Sequence, residues 1–345
     1  MRGVWLTGHG DFDKLEVRCD IPLPNIHARD VLIRVAAAAV NNTDINTRTG
    51  WYSKSNSDSE DASWTGAAIR FPRIQGIDVC GRIVAVGADI SHARIGERVI
   101  VEPCLREAEG RMLEQPWFLG SECDGGFAEY TVVAARHAYR VESELSDTEL
   151  ASFPCSYSTA ENLLTRTAVD SGDTVLVTGA SGGVGSAVIQ LARARQARVF
   201  AVTSATKLAD ILDLGAEQTF HRDARLDEML GHNSVDVVID LVAGKQWPML
   251  LNVLRPGGRY GVAGAIGGPL VELDVRTLYL KDLSLFGCTV LEPDVFSNLI
   301  RYIERKDVSA LVAKTFPLER ITDAQTAFVA KNHIGKIVLT VDSGS

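Results

Sequence analysis

The stretch TVLVTGASGGVGSAVIQLA, beginning at Thr174, leaves this chain few folds to choose from. A short apolar, β-branched run reads as a buried strand. It ends in seven small residues, Gly179-Ala180-Ser181-Gly182-Gly183-Val184-Gly185, and apolar residues at helical spacing follow at once. Strand, tight turn and helix in direct succession open a βαβ unit, and such units build a parallel sheet with helices on its faces. Further short apolar strands alternate with helical patterns: ARVFAVT, VDVVIDLV, GRYGVAG and SLFGCTV. The helix KLADILDLGA closes on a glycine suited to a C-cap. Doubly wound α/β is the expected class for this half of the chain.

The loop itself predicts a ligand. Small residues let the backbone approach a pyrophosphate, and the helix N-terminus meets that anion with N–H groups that lack intrahelical acceptors and a positive dipole end. Gly179, Ala180, Ser181, Gly182, Gly183 and Val184 are therefore candidate dinucleotide contacts, although Ala180 stands where the G-x-G-x-x-G pattern has its first glycine. An NAD-specific site places a carboxylate about 20 residues on, at the end of the second strand. Here that strand runs out as Val202-Thr203-Ser204-Ala205-Thr206-Lys207, without an acid. The Ser204 hydroxyl and the Lys207 cation suit a 2′-phosphate, which makes NADPH the expected cofactor.

Elsewhere the rhythm differs. Up to about residue 140 the apolar segments DVLIRVAAAAV, GRIVAVG, ERVIV and AEYTVV are short and β-rich, broken by Gly, Pro and Asp. This reads as a mostly antiparallel, barrel-like domain over 1–140, followed by the α/β domain over 141–310. The segment 311–345, strand–helix–strand in pattern, resembles the first domain more than the second. A Ser- and Asp-rich insertion between Gly50 and Phe71, including Asp58 and Glu60, reads as a solvated surface loop.

Bulk properties narrow the partners. With 345 residues there is chain for two domains. A net charge of −9 argues against nucleic acid, whose binding draws on clustered Lys and Arg. No apolar run approaches the roughly 20 residues of a membrane helix, so no membrane partner is expected. Cys19, Cys80, Cys104, Cys123, Cys155 and Cys288 lack the spacing of a disulfide scaffold, and a cytoplasmic setting is expected.

Taken in order, NNTDINTRTGWY, GIDVCGRIVAVG, GERV, GGFAEY, PCSYSTAENLL, GASGGVG, LRPGG and GKIVL resemble the medium-chain dehydrogenase/reductase superfamily along nearly the whole chain, most closely its quinone oxidoreductase branch. The resemblance implies a GroES-like catalytic domain interrupted by a Rossmann domain, and a homodimer formed through the last Rossmann strand, SLFGCTV. Zinc alcohol dehydrogenases of the superfamily carry metal ligands at the positions of Asn41, Ile77 and Cys155. Isoleucine offers no donor and a neutral amide is a poor substitute for thiolate, so even with Asp78 the set falls short of a catalytic zinc. Cys104 and Cys123 likewise fall short of the four cysteines of a structural zinc lobe.

Without a Lewis acid, simple alcohol oxidation is disfavoured, and hydride delivery to a quinone or another conjugated carbonyl compound is the expected chemistry. By resemblance, Asn41, a candidate catalytic residue as well as a cofactor contact, and Thr159 lie toward the nicotinamide, while Val242, Gly264 and Phe286 line the cofactor groove at strand C-termini. NNTDINTRTGWY also resembles the segment of 2-enoyl thioester reductases that bears a proton-donating tyrosine, which makes Tyr52 a candidate catalytic acid. Trp51, Trp64 and Trp117 are candidates for an aromatic wall of the substrate site. A 2-enoyl thioester reductase using Tyr52, a zinc-type alcohol dehydrogenase and a non-catalytic NADPH-binding protein stay open as alternatives to the metal-free quinone or enone reductase.

Overall fold

The computed structural model describes residues 1–53, 62–66 and 68–341; the segment with Asp58 and Glu60 lies outside them. The chain divides into two compact units, Met1–Cys155 with Ala310–Ser345, and Ser156–Ser309. The first therefore runs past residue 140. The helix Asp147–Leu150 belongs to it, because Arg98 on the strand Arg98–Val101 donates to Asp147 at 2.7 Å.

The first unit is built around Asp30–Val40, an 11-residue strand in which almost every position is buried. Small residues at 36–39 let several partners close on it. Cys80–Val86, Tyr130–Ala134 and Lys336–Thr340 all pair with it antiparallel. The C-terminal return thus adds to the central strand itself, with Ile337 opposite Val40 and Thr340 opposite Ala37. Seven strands make this sheet. Among the described residues, a three-stranded sheet around Gly3–Leu6 and a hairpin of Cys104–Ala108 with Arg111–Phe118 complete the β-structure of this unit.

The hairpin, where zinc-containing relatives carry a metal lobe, is held by hydrogen bonds. His137 Nδ1 lies 2.7 Å from a Glu102 carboxylate oxygen, and its Nε2 accepts the Arg106 and Glu107 N–H groups at 3.1 and 3.2 Å. That pattern fixes the neutral Nδ1–H tautomer, since Nε2 is used as an acceptor twice. Glu107 is further paired with Arg29. Cys104 and Cys123 form no disulfide, and burial pushes the Cys123 thiol up to about 12.

The second unit is a six-stranded parallel sheet. Its spatial order is Gln218–His221, Arg198–Thr203, Thr174–Val177, Val235–Asp240, Leu254–Val262, Ser284–Gly287. That is the dinucleotide-binding order, with its switch point beside the first strand. Gln218–His221 does not stand out in the sequence, because only Phe220 of its four residues is fully buried. Gly215 ends the helix Leu208–Leu214 at φ +115°, the left-handed cap expected of KLADILDLGA. Leu176, Phe200, Val238, Leu251 and Leu254 lie in one apolar cluster of this unit. No described helix is long and apolar enough to cross a membrane.

Candidate active site

In the second unit, Gly179 turns the chain at φ +61° after Thr174–Val177, and Gly182 caps the helix Gly183–Ala194. Two glycines of the loop serve different purposes. A Cβ on Gly185 would lie 2.4 Å from the Gly179 carbonyl oxygen and 2.7 Å from Ala180 Cα, so this position brings helix and loop backbone together. A Cβ on Gly182 would meet nothing nearer than 3.5 Å. Its bareness serves no packing in the protein alone and leaves the helix N-terminus open to a pyrophosphate. A dinucleotide fits this cradle.

At the end of Arg198–Thr203, the Thr203 hydroxyl is buried without a hydrogen-bond partner. Beside it Lys207 Nζ lies 3.4 Å from Ser181 Oγ, and Ser204 Oγ lies 3.5 Å from Thr206 Oγ1. Burial lowers the Lys207 pKa, and the positive charge of Arg222 lowers it further. Arg222, whose N–H donates to the Thr203 carbonyl at 2.8 Å, was not singled out in the sequence. It follows the one strand of the parallel sheet that sequence patterning does not reveal. Two cations and several hydroxyls thus collect where a NAD-specific chain would carry an acid.

Val242 and Gly264 follow adjacent strands. Asp240, fully buried, accepts the N–H groups of Val242 and Ala243 at 2.9 and 3.0 Å and the Thr178 hydroxyl at 2.5 Å. Its other oxygen accepts from Tyr260 at 2.6 Å, whose own oxygen accepts from Trp247 Nε1 at 2.9 Å. These bonds hold Ala243 at φ +56°, a conformation disfavoured for a non-glycine residue. A Cβ on Gly264 would come within 2.7 Å of the Leu241 carbonyl oxygen. Thr159 sits on the helix Pro154–Arg166. Phe286 is the penultimate residue of the edge strand and lines a surface hollow with Thr165, Arg166 and Asn298.

The first unit gathers a second cluster. Asn41 precedes the helix Asn42–Thr49, and its N–H donates to Asp44 at 2.8 Å. Its side-chain amide donates to the Ala39 carbonyl at 3.1 Å and to Asp78 at 2.8 Å, and its oxygen accepts from Lys336. Lys336 Nζ is 2.8 Å from Asp78, whose other oxygen takes the Cys155 N–H at 2.6 Å. Burial pushes the Asp44 carboxyl up to about 7, with the charge of Asp78 adding to it and the Asn41 N–H and Lys336 opposing it. Asp44 and Lys336 are not among the sequence candidates, and Asp78 enters there only as a possible metal ligand. Their signal was a charge inside an apolar run, as in GIDVCG and GKIVL.

Tyr52 lies just past this helix, its hydroxyl bonded to the Thr43 and Asn46 side chains. Burial raises its pKa, with the neighbouring Cys155 and Asp44 adding smaller effects. The ring stacks on Trp64 at 5.9 Å between centroids and meets Trp51 edge-on at 5.5 Å, while Trp64 stacks on Phe118 at 4.3 Å. Trp117 is not part of that row. Its face is covered by the Arg111 guanidinium, 5.3 Å away.

Asn41, Ile77 and Cys155 do not make a zinc site. The Ile77 side chain is buried hydrocarbon, and the Asn41 amide oxygen is taken by an ammonium group. Among the described residues no three His, Cys, Asp or Glu side chains converge as metal ligands.

Comparison with known proteins agrees with this architecture. Residues 27–143 match the alcohol dehydrogenase GroES-like domain, and residues 183–305 match the zinc-binding dehydrogenase family. Quinone oxidoreductase of Lama guanicoe is 30% identical, covering 98% of this chain and 97% of its own. Acryloyl-coenzyme A reductase of Metallosphaera sedula is 28% identical, over 99% of this chain and 100% of its own. Among solved structures, a candidate alcohol dehydrogenase from Sinorhizobium meliloti 1021 superposes with a TM-score of 0.92 at 46% identity, covering 99% and 97% of the two chains. The chain is an oxidoreductase of the medium-chain dehydrogenase/reductase superfamily, in its quinone oxidoreductase-like branch.

Proposed function

We propose that this protein is an NADPH-dependent reductase of quinones and other conjugated carbonyl compounds that works without a metal. The observation that carries the reading is the end of the strand Arg198–Thr203, where Ser204, Lys207 and Arg222 replace a carboxylate. Ser181, Gly182, Gly183 and Val184 would hold the pyrophosphate, and the tethered turn at Val242, with Gly264 beside it, would border the nicotinamide. NADPH, when bound, supplies the hydride. The donor-poor positions 41, 77 and 155 leave no Lewis acid to polarise a simple carbonyl, which favours acceptors that spread the incoming charge by conjugation.

The enoyl reductase alternative gains one observation. The Tyr52 hydroxyl lies near Cys155 and Asp44, and a phenol carries its proton at neutral pH. Reduction of an activated alkene needs a proton on carbon that such a group could deliver, whereas a quinone takes its protons on oxygen from water.

Six cysteines with no disulfide among them agree with a cytoplasmic setting. The open edge strand Ser284–Gly287 and the exposed Val275, Tyr279 and Leu280 beside it support a homodimer. Light scattering distinguishes dimer from monomer. The functional test is NADPH oxidation with quinones, enals and enoyl-CoA thioesters. No turnover of any of them would overturn the reading.

A further inference from the structure

The cluster around Asn41 contains more fixed hydrogen bonds than a loop cap needs. Asn41 spends both amide hydrogens, on Ala39 and Asp78, and its oxygen on Lys336. Turning the amide over would set its NH₂ against the ammonium and its oxygen against two acceptors, so a single orientation survives. Asn41 keeps no donor for an acceptor carbonyl. Lys336 and Asp78 are 3% and 0% exposed, so the ion pair between them is buried. The register explains how residues so far apart in sequence meet. Ile337 stands opposite Val40, which sets Lys336 beside Asn41. Through its second oxygen Asp78 also caps the N–H of Cys155, in the first turn of the helix Pro154–Arg166. One ammonium therefore ties together two of the three positions at which zinc-dependent members of the superfamily hold their metal.

We propose that Lys336 is a positioning residue for the reaction, a protein-borne cation that fixes Asn41, Asp78 and the Cys155 backbone in one arrangement where relatives use a metal ion to organise the same positions. This rests on the reading of the chain as a metal-free reductase. Lys336 acts through its partners and is given no contact with substrate.

Lys336→Met alone would strand the buried Asp78 charge and could simply unfold the protein. The informative variant is Lys336→Met with Asp78→Asn, which removes both members of the ion pair together and leaves an amide oxygen within reach of the Asn41 side chain. Melting temperature, NADPH affinity by fluorescence titration, and kcat and KM with 1,4-naphthoquinone are measured on wild type and variant. The expected result is a folded protein with wild-type NADPH affinity and kcat lower by about 10- to 100-fold, the scale of a small misplacement of reacting groups. Recovery of kcat together with stability would show a merely structural pair and overturn the proposal. Should the double variant not fold, Lys336→Arg carries the test. It keeps the charge beside Asp78 but moves the donor away from Asn41, so a several-fold fall in kcat at unchanged NADPH affinity is expected, and wild-type kcat overturns the proposal. A wild type inactive toward every acceptor would instead overturn the functional reading itself.

Discussion

Gly182→Ala separates the cofactor's demands on the loop from those of packing. Gly182 has φ −75° and ψ 169°, which alanine adopts without strain, and the added methyl group meets nothing nearer than 3.5 Å. Alanine is a poorer helix cap than glycine, but it also lowers the entropy of the unfolded chain. The two effects oppose each other, and stability should stay within about 1 kcal/mol. A bound pyrophosphate would meet that methyl group instead of bare backbone. Hydrogen bonds to a charged group contribute about 1.5–3 kcal/mol, so losing one raises the NADPH Kd by roughly 10- to 150-fold. Gly185→Ala is the control. Its Cβ would sit 2.4 Å from the Gly179 oxygen, a backbone clash that should cost about 1–3 kcal/mol before any cofactor is added. Thermal melting without cofactor and a fluorescence titration with NADPH measure both variants. Gly182→Ala binding NADPH as tightly as wild type would refute the assignment of this loop.

Other substitutions probe the remaining parts. Lys207→Ala and Arg222→Ala should each weaken NADPH binding by about 1–3 kcal/mol and leave NADH nearly unchanged, as steady-state KM values for the two cofactors would show; equal losses with both cofactors would remove the 2′-phosphate from the argument. Asp44 is expected to make stability fall as pH rises. Its carboxyl titrates at 3.8 in the unfolded chain and at about 7 when folded, so between those values the native state keeps a proton the unfolded chain has released. At about 1.4 kcal/mol per pH unit the loss is on the order of 4 kcal/mol, complete near pH 7. Urea unfolding of Asp44→Asn across this range should lack that slope, and an unchanged slope would mean that Asp44 titrates normally. Tyr52→Phe should slow reduction of an activated alkene much more than that of a quinone, by roughly 10²-fold if the phenol is the acid; equal wild-type rates on both would leave Tyr52 a packing residue.

What the sequence showed and what it hid follow from the range of the forces involved. The βαβ loop was legible because strand, small-residue turn and helix are adjacent in the chain, and each glycine there answers to neighbours a few residues away. The C-terminal strand was legible as a strand from KIVL, but its leading lysine gave no sign of its partners. Lys336 reaches Asn41 and Asp78 only through strand pairing with a segment 295 residues earlier. Arg222 was hidden for a similar reason, since it meets Lys207 only once two neighbouring strands are in register. Trp117 shows the converse. Its residue type made it a candidate for an aromatic wall, yet on the hairpin Arg111–Phe118 its face is covered by Arg111.

Metal-free reduction with NADPH is tested most directly by one assay. Purified protein is treated with a strong chelator, its metal content is determined by elemental analysis, and oxidation of NADPH and of NADH is followed with a quinone acceptor. Undiminished turnover with less than about 0.1 zinc per chain, and a clear preference for NADPH, is the predicted result, because positions 41, 77 and 155 supply too few ligands for the metal. Activity that is lost on chelation and returns with zinc, or that runs equally with NADH, would contradict it.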